Sequence, residues 1–146
     1  MRSLFLIFAL ISSGAHASGL KIEITGDGAN GVVTIDLFEE TAPLHAERII
    51  TLAREGAYNG VVFHRVIDGF MVQTGDPKGN GTGGSGQNLP PEFTSENHVR
   101  GTVSMARSAS PSSADSQFFI MLGDSPHLDN QYSIWGKVTS GMEFVD

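Results

Sequence analysis

Residues 63–76 read Phe63-His64-Arg65-Val66-Ile67-Asp68-Gly69-Phe70-Met71-Val72-Gln73-Thr74-Gly75-Asp76. Two extended runs, Val61 to Val66 and Phe70 to Thr74, flank Ile67-Asp68-Gly69, and this spacing predicts an antiparallel hairpin. Alternation along the first run puts Phe63 and Arg65 on one side and His64 and Val66 on the other. Arg65 then falls beside the strand from Met71 to Gln73, among groups that are otherwise apolar. A strand arginine ordinarily lays its stem over apolar surface and keeps its head in water. A fixed cation next to a glutamine, an aromatic ring and a thioether also suits a site. His64, turned away from Arg65, is expected to be a buried structural group.

Outward from this hairpin the chain is mostly strand. Lys21 to Thr25 and Val32 to Phe38 are β-branched and partly alternating, with Asp27-Gly28-Ala29-Asn30-Gly31 as the turn between them. Thr102 to Ala106, Gln117 to Leu122 and Ser133 to Val138 add further strands. One helix is predicted over Ala42 to Glu55, with Pro43 in its first turn, Leu44, Ile49, Leu52 and Ala53 on its apolar face, and Gly56 as its stop. Many short strands, few helices and frequent turn residues point to a closed barrel.

Composition sets further bounds. A chain of 146 residues with 40% hydrophobic content can bury one sizeable core, and its length favours a single domain. Residues 1–17 are read apart from it: Arg2, the apolar run Leu4 to Ile11 and Ala15-His16-Ala17 form a signal peptide, with cleavage expected before Ser18 and a periplasmic or secreted product. The run is too short for a membrane anchor. Nine basic against 16 acidic residues give a net charge of −7, or about −8 once Arg2 is removed. That balance argues against nucleic acid and anionic membranes as partners. The chain has no cysteine, so an exported product has no disulfide to form.

Two motifs mimic sites. Gly79 to Gly84 fits G-x-G-x-x-G, but a dinucleotide loop must open a helix, and Ser85-Gly86-Gln87-Asn88-Leu89-Pro90-Pro91 cannot. Asn80-Gly81-Thr82 is a glycosylation sequon, silent in bacterial export. His45, His64, His98 and His127 lack metal-ligand spacing, and no G-x-S-x-G nucleophile elbow occurs, so neither metal nor cofactor is expected.

The residue order of 63–76 closely resembles the signature of the cyclophilins, the peptidyl-prolyl cis/trans isomerases. Asn80 to Gly84, Gly101-Thr102-Val103-Ser104-Met105-Ala106 and Ser116-Gln117-Phe118-Phe119-Ile120 resemble further family segments, in matching order from about Ile22 to Asp146. The resemblance implies a mainly β fold, a closed barrel of eight antiparallel strands with a helix over each open end. It implies Arg65 and Gln73 as catalytic residues and a proline pocket of Phe70, Met71, Phe119 and Leu128. Gln117, the backbone of Ala106 and Arg107, and His127 and Tyr132 at the rim complete the substrate contacts. Arg107 stands where many relatives carry asparagine, and His127 where they usually carry tryptophan or phenylalanine, which implies weak cyclosporin binding. Family members continue beyond the point matched by Asp146, so the domain of 18–146 is expected to lack the end of a second helix, begun at Ser140 to Val145, and the last strand.

The implied partners are proline-containing peptides and unfolded or folding proteins, with the chain a monomer. Such an isomerase needs neither nucleophile nor acid/base pair, because the barrier of about 18–20 kcal/mol to X-Pro rotation is one of lost resonance. A module that binds proline-containing segments without catalysis is the alternative reading.

Overall fold

The computed structural model describes residues 11–13, 17–26 and 30–145. Eight strands, β1 (Ile11–Ser13), β2 (Ala17–Ile24), β3 (Gly31–Leu37), β4 (Arg65–Ile67), β5 (Met71–Thr74), β6 (Thr102–Met105), β7 (Phe118–Met121) and β8 (Ile134–Ser140), accompany one α-helix, α1 (Pro43–Arg54). The strands form one antiparallel sheet in the order β1-β2-β3-β8-β6-β7-β5-β4. Seven of them, β2 to β8, make a curled half-barrel, bent by register shifts at Thr34/Ile35 and Val103/Ser104.

Three expectations are corrected here. First, the described sheet is open, with β1 and β4 at its ends and no register joining them. The mainly β class stands; the closed eight-stranded barrel is not seen. Second, Ser140 is the last residue of β8, paired with Thr34, and the expected helical segment starts only after Gly141 at φ +87°, as a 3-10 turn over Met142–Phe144. Third, Leu44 is 44% exposed, and the helix face turned inward is His45, Ala46, Ile49, Leu52 and Ala53. Of the expected leader, residues 1–10 and 14–16 lie outside the described residues, while Ile11–Ser13 pairs with Ala17–Gly19. Most of the Asp27–Gly31 turn also lies outside them.

The main core fills the curl. Leu20, Ile22, Ile35, Ile49, Val103, Phe118, Ile120 and Trp135 are each 0% exposed. The opposite face of β5 and β7 buries a second, smaller cluster: Met71, Phe119, Met121 and Leu128, with Ile67, Phe70, Ala106 and Tyr132 packed against it. β7 is therefore covered on both faces, which explains why Phe118-Phe119-Ile120-Met121 is continuously apolar rather than alternating.

α1 is capped from a distance. Ala42, at the N-cap, has no side chain able to accept the first free N–H groups. The Glu92 carboxylate does this instead, accepting the N–H of Leu44 at 3.1 Å and of His45 at 2.7 Å, and meeting His45 Nδ1 at 2.6 Å. The Glu92 N–H in turn donates to Ser133 Oγ at 2.8 Å, next to β8.

These buried groups set an acid limit. Burial pulls the imidazoles of His45, His64 and His98 below their ordinary 6.5, outweighing the carboxylates beside them. An unfolded chain takes up protons below about pH 6.5 that the folded chain refuses, so stability falls with pH from there until the lowered folded values are passed. Burial pushes the Asp76 carboxyl up, but backbone N–H groups of Lys78, Gly83, Asn80 and Gly81 together bring it below 3.8. Its stabilising effect, full above its unfolded value, is lost as pH falls through the lower folded one. Thermal melts against pH should show Tm level from pH 8 to 7, declining below about 6.5, and dropping again below about 4. A level Tm from pH 7 to 5 would refute the histidine contribution.

Candidate active site

The β4–β5 hairpin forms through a three-residue loop, with Gly69 at φ +72° and the Phe70 N–H donating to Ile67 O at 3.0 Å. Its register sets Arg65 directly opposite Gln73, and Ile67 opposite Met71. The strand begins only at Arg65, so alternation does not extend back to Phe63, which sits in the main core at 5% exposure instead of beside Arg65. His64 is half-buried, with its ring near Gly81.

Arg65, Phe70, Met71, Gln73, Ala106, Arg107, Phe119, Leu128 and Tyr132 line one cavity of about 190 Å³. Its floor is apolar, and among the described residues no hydrogen bond or ion pair engages the exposed Arg65 guanidinium. Two candidate residues stand outside it. Gln117 lines an adjoining cavity of about 470 Å³, which shares Gln73, Ala106 and Arg107 with the first. His127 stacks on Phe70 with ring centroids 6.1 Å apart, forming a lip over the apolar floor.

Hydrogen bonds fix the polar groups. Gln73 Nε2 donates to Gln117 Oε1 at 2.9 Å, and Gln117 Nε2 donates to Gly83 O at 2.9 Å. The pair is thereby tied to the glycine loop. That loop is itself hung on two carboxylates: Asp76 accepts from Lys78, Asn80 and Gly81 N–H groups, and Asp115 from Gly86 N and from Arg48 of α1. A Cβ at Gly83 would strike Asp76 and one at Gly84 would strike Asp115, so the glycines of the false nucleotide motif are there to let the loop close on these acids.

The Arg107 side chain is turned to its own rim. Its Nε donates to Gln131 O, its Nη1 to Ser108 O and Ala109 O, and its Cζ lies 4.7 Å from the Tyr132 ring centre. The side chain thus holds the rim together. The Ala106 N–H is donated to Gln117 O at 2.9 Å.

Residues 20–146 match the family model "Cyclophilin type peptidyl-prolyl cis-trans isomerase/CLD". The chain belongs to the cyclophilin family. A Brucella suis protein described as "Probable peptidyl-prolyl cis-trans isomerase" is 56% identical to this cyclophilin over 129 residues, covering 80% of this chain. The chain spans 66% of that relative's length. A cyclophilin-type isomerase of Cryptosporidium parvum matches in structure with a TM-score of 0.80 at 32% identity, covering 88% of this chain and 82% of its own. Its structure in the presence of the dipeptide Ala-Pro gives 0.75 at 34% identity, covering 78% of this chain and 76% of its own. Membership in a family of isomerases fits the cyclophilin's cavity, which presents a cation and an amide over a small apolar floor.

One network at this cavity has no local sequence signal. His98, from the loop before β6, is buried behind Phe119 and bonded to Asp129 and Ser104. Read singly, His98 shows neither metal spacing nor periodicity, and its partners lie 31 and 6 residues away.

Proposed function

We propose that this chain is a peptidyl-prolyl cis/trans isomerase that accelerates rotation about X-Pro bonds of unfolded or folding proteins. The observation that carries the reading is the register Arg65↔Gln73 at the edge of a cavity floored by Met71, Phe119 and Leu128. Proline is a compact ring without an N–H, so it enters a pocket that offers no hydrogen bonds. In the twisted transition state the nitrogen lone pair leaves conjugation and becomes an acceptor. A donor aimed at it binds the transition state better than either planar ground state.

Arg65 fills that role because a guanidinium stays protonated and presents a rigid fork of N–H groups. Gln73, oriented by Gln117, holds the carbonyl or the flanking peptide units, which run from the small cavity into the larger one. The presence of Ala-Pro with the Cryptosporidium relative supports proline-containing peptides as the substrate class. The test is cis/trans exchange of an Ala-Pro peptide with and without the purified protein. Faster exchange is expected; binding of the peptide without acceleration would favour the non-catalytic module.

We also infer export to the periplasm or beyond, where uncatalysed isomerisation over tens of seconds slows folding. The leader's basic start, apolar middle and A-x-A end support it. Mass spectrometry of protein from the producing cell should find Ser18 as the first residue. An intact Met1 on soluble cytoplasmic protein would sink the export proposal and leave the enzymatic one standing.

A further inference from the structure

His98 does not line the small cavity, yet three of its walls rest on it. The His98 side chain is fully buried. Its Nδ1 lies 3.0 Å from Asp129 Oδ1, and the same oxygen accepts the His98 backbone N–H at 2.7 Å. Its carbonyl accepts the Ser125 N–H at 2.9 Å. Ser125 and Asp129 bracket the 3-10 turn Pro126–Leu128, so His98 grips that turn at both ends and fixes where Leu128 enters the cavity.

The imidazole face does the rest. It stacks on Phe119 with centroids 6.0 Å apart and planes at 19°, and meets Tyr132 edge-on at 6.3 Å. Phe119 and Tyr132 meet each other at 5.6 Å and 88°. At the far side, Nε2 is 3.0 Å from Ser104 Oγ on β6. An ionised Asp129 only accepts, so Nδ1 carries the proton when the ring is neutral, and Nε2 is left facing a Ser104 hydroxyl whose single proton is shared with Ser133 O at 3.2 Å. Burial favours that neutral ring. One side chain therefore spaces an aromatic wall, an aliphatic wall and a rim residue without itself lining the cavity.

We propose that His98 and Asp129 are a positioning pair that holds Phe119, Leu128 and Tyr132 at the separation a proline ring requires. The proposal rests on the isomerase reading and predicts a particular division of kinetic effects. Loosening the walls weakens the grip on proline in ground and transition states alike, while Arg65, carried on β4 and not bonded to this network, keeps its donor role.

The test uses Asp129→Ala, Asp129→Asn and His98→Asn, with wild type as reference. Asp129 is partly exposed, its side chain at 21%, so its loss leaves the core filled. For an Ala-Pro peptide, Asp129→Ala and His98→Asn should each raise KM by roughly tenfold or more with kcat within about threefold of wild type. Asp129→Asn, which keeps an accepting oxygen for the His98 N–H groups, should recover most of that loss. NMR signals of the Leu128 methyls and the Phe119 ring should move in the free variants. Cooperatively folded variants with a wild-type KM, or with kcat lost at unchanged KM, would overturn the proposal; should His98→Asn fail to fold, Asp129→Ala decides. If wild type itself does not accelerate exchange, the isomerase reading fails, and unmoved Leu128 and Phe119 signals would separately refute the clamp.

Discussion

Arg65→Ala should lower kcat/KM by about 10²–10³-fold, equivalent to about 2.7–4 kcal/mol of transition-state stabilisation, the loss found when one preorganised donor is removed. The side chain is exposed at the end of the sheet and packs no core, so Tm should stay nearly constant. Peptide affinity should also change little, because the nitrogen accepts a hydrogen bond only once the amide has twisted. Arg65→Lys should recover only part of the rate: it restores charge but not the planar fork. Progress curves for an X-Pro peptide, with the affinity measured separately by NMR titration, check both halves. A variant that keeps most of its kcat/KM would remove Arg65 from the chemistry.

Phe118→Ala should be the most damaging single change to stability, by about 3–5 kcal/mol. Phe118 is 0% exposed and meets Tyr58 edge-on at 5.6 Å and Trp135 at 5.2 Å. Nothing nearby can collapse into its place, since Tyr58 is tied through its hydroxyl to Ser116 O and Trp135 lies within the sheet. A Tm loss of roughly 10 °C or more is expected for a domain of this size. The neighbouring Phe119→Ala acts on the other face of the strand, where the ring is a cavity wall, and should cost peptide affinity more than stability. Thermal melts beside peptide titrations distinguish the two; equal Tm losses would mean that the second cluster is as much core as the first.

The hairpin at Arg65 was legible because turn chemistry and alternation act within a dozen residues, and both are local. The sequence pattern also located β2, β3, β6, β7, β8 and α1 to within a few residues. What it could not supply were contacts made across the chain. Leu44 fits an apolar helical stripe by spacing, yet His45 is the residue turned inward, because Glu92 offers it a partner that no periodicity encodes. Alternation puts Phe63 on the side of Arg65 only in a strand that begins at Val61, and β4 begins four residues later, at Arg65. The ties of the Gln117 amide to Gln73 and to Gly83, 34 residues back along the chain, likewise carry no local sequence signal. His98 and Asp129, 31 residues apart, meet only after β6, β7 and the 3-10 turn have assembled.

The cap that Glu92 provides bears on the order in which the molecule comes together. Helices ordinarily form early, since their bonds join near neighbours and little loop entropy is lost. Here the first turn of α1 waits for a carboxylate 47 residues downstream, and the backbone of that residue is steadied in turn by Ser133, a further 41 residues on. On a ribosome, the start of α1 would leave the tunnel long before either residue is available. The first turn of α1 is therefore completed by a loop residue that is itself held by the residue just before β8, and it belongs among the later pieces of the nascent chain to settle.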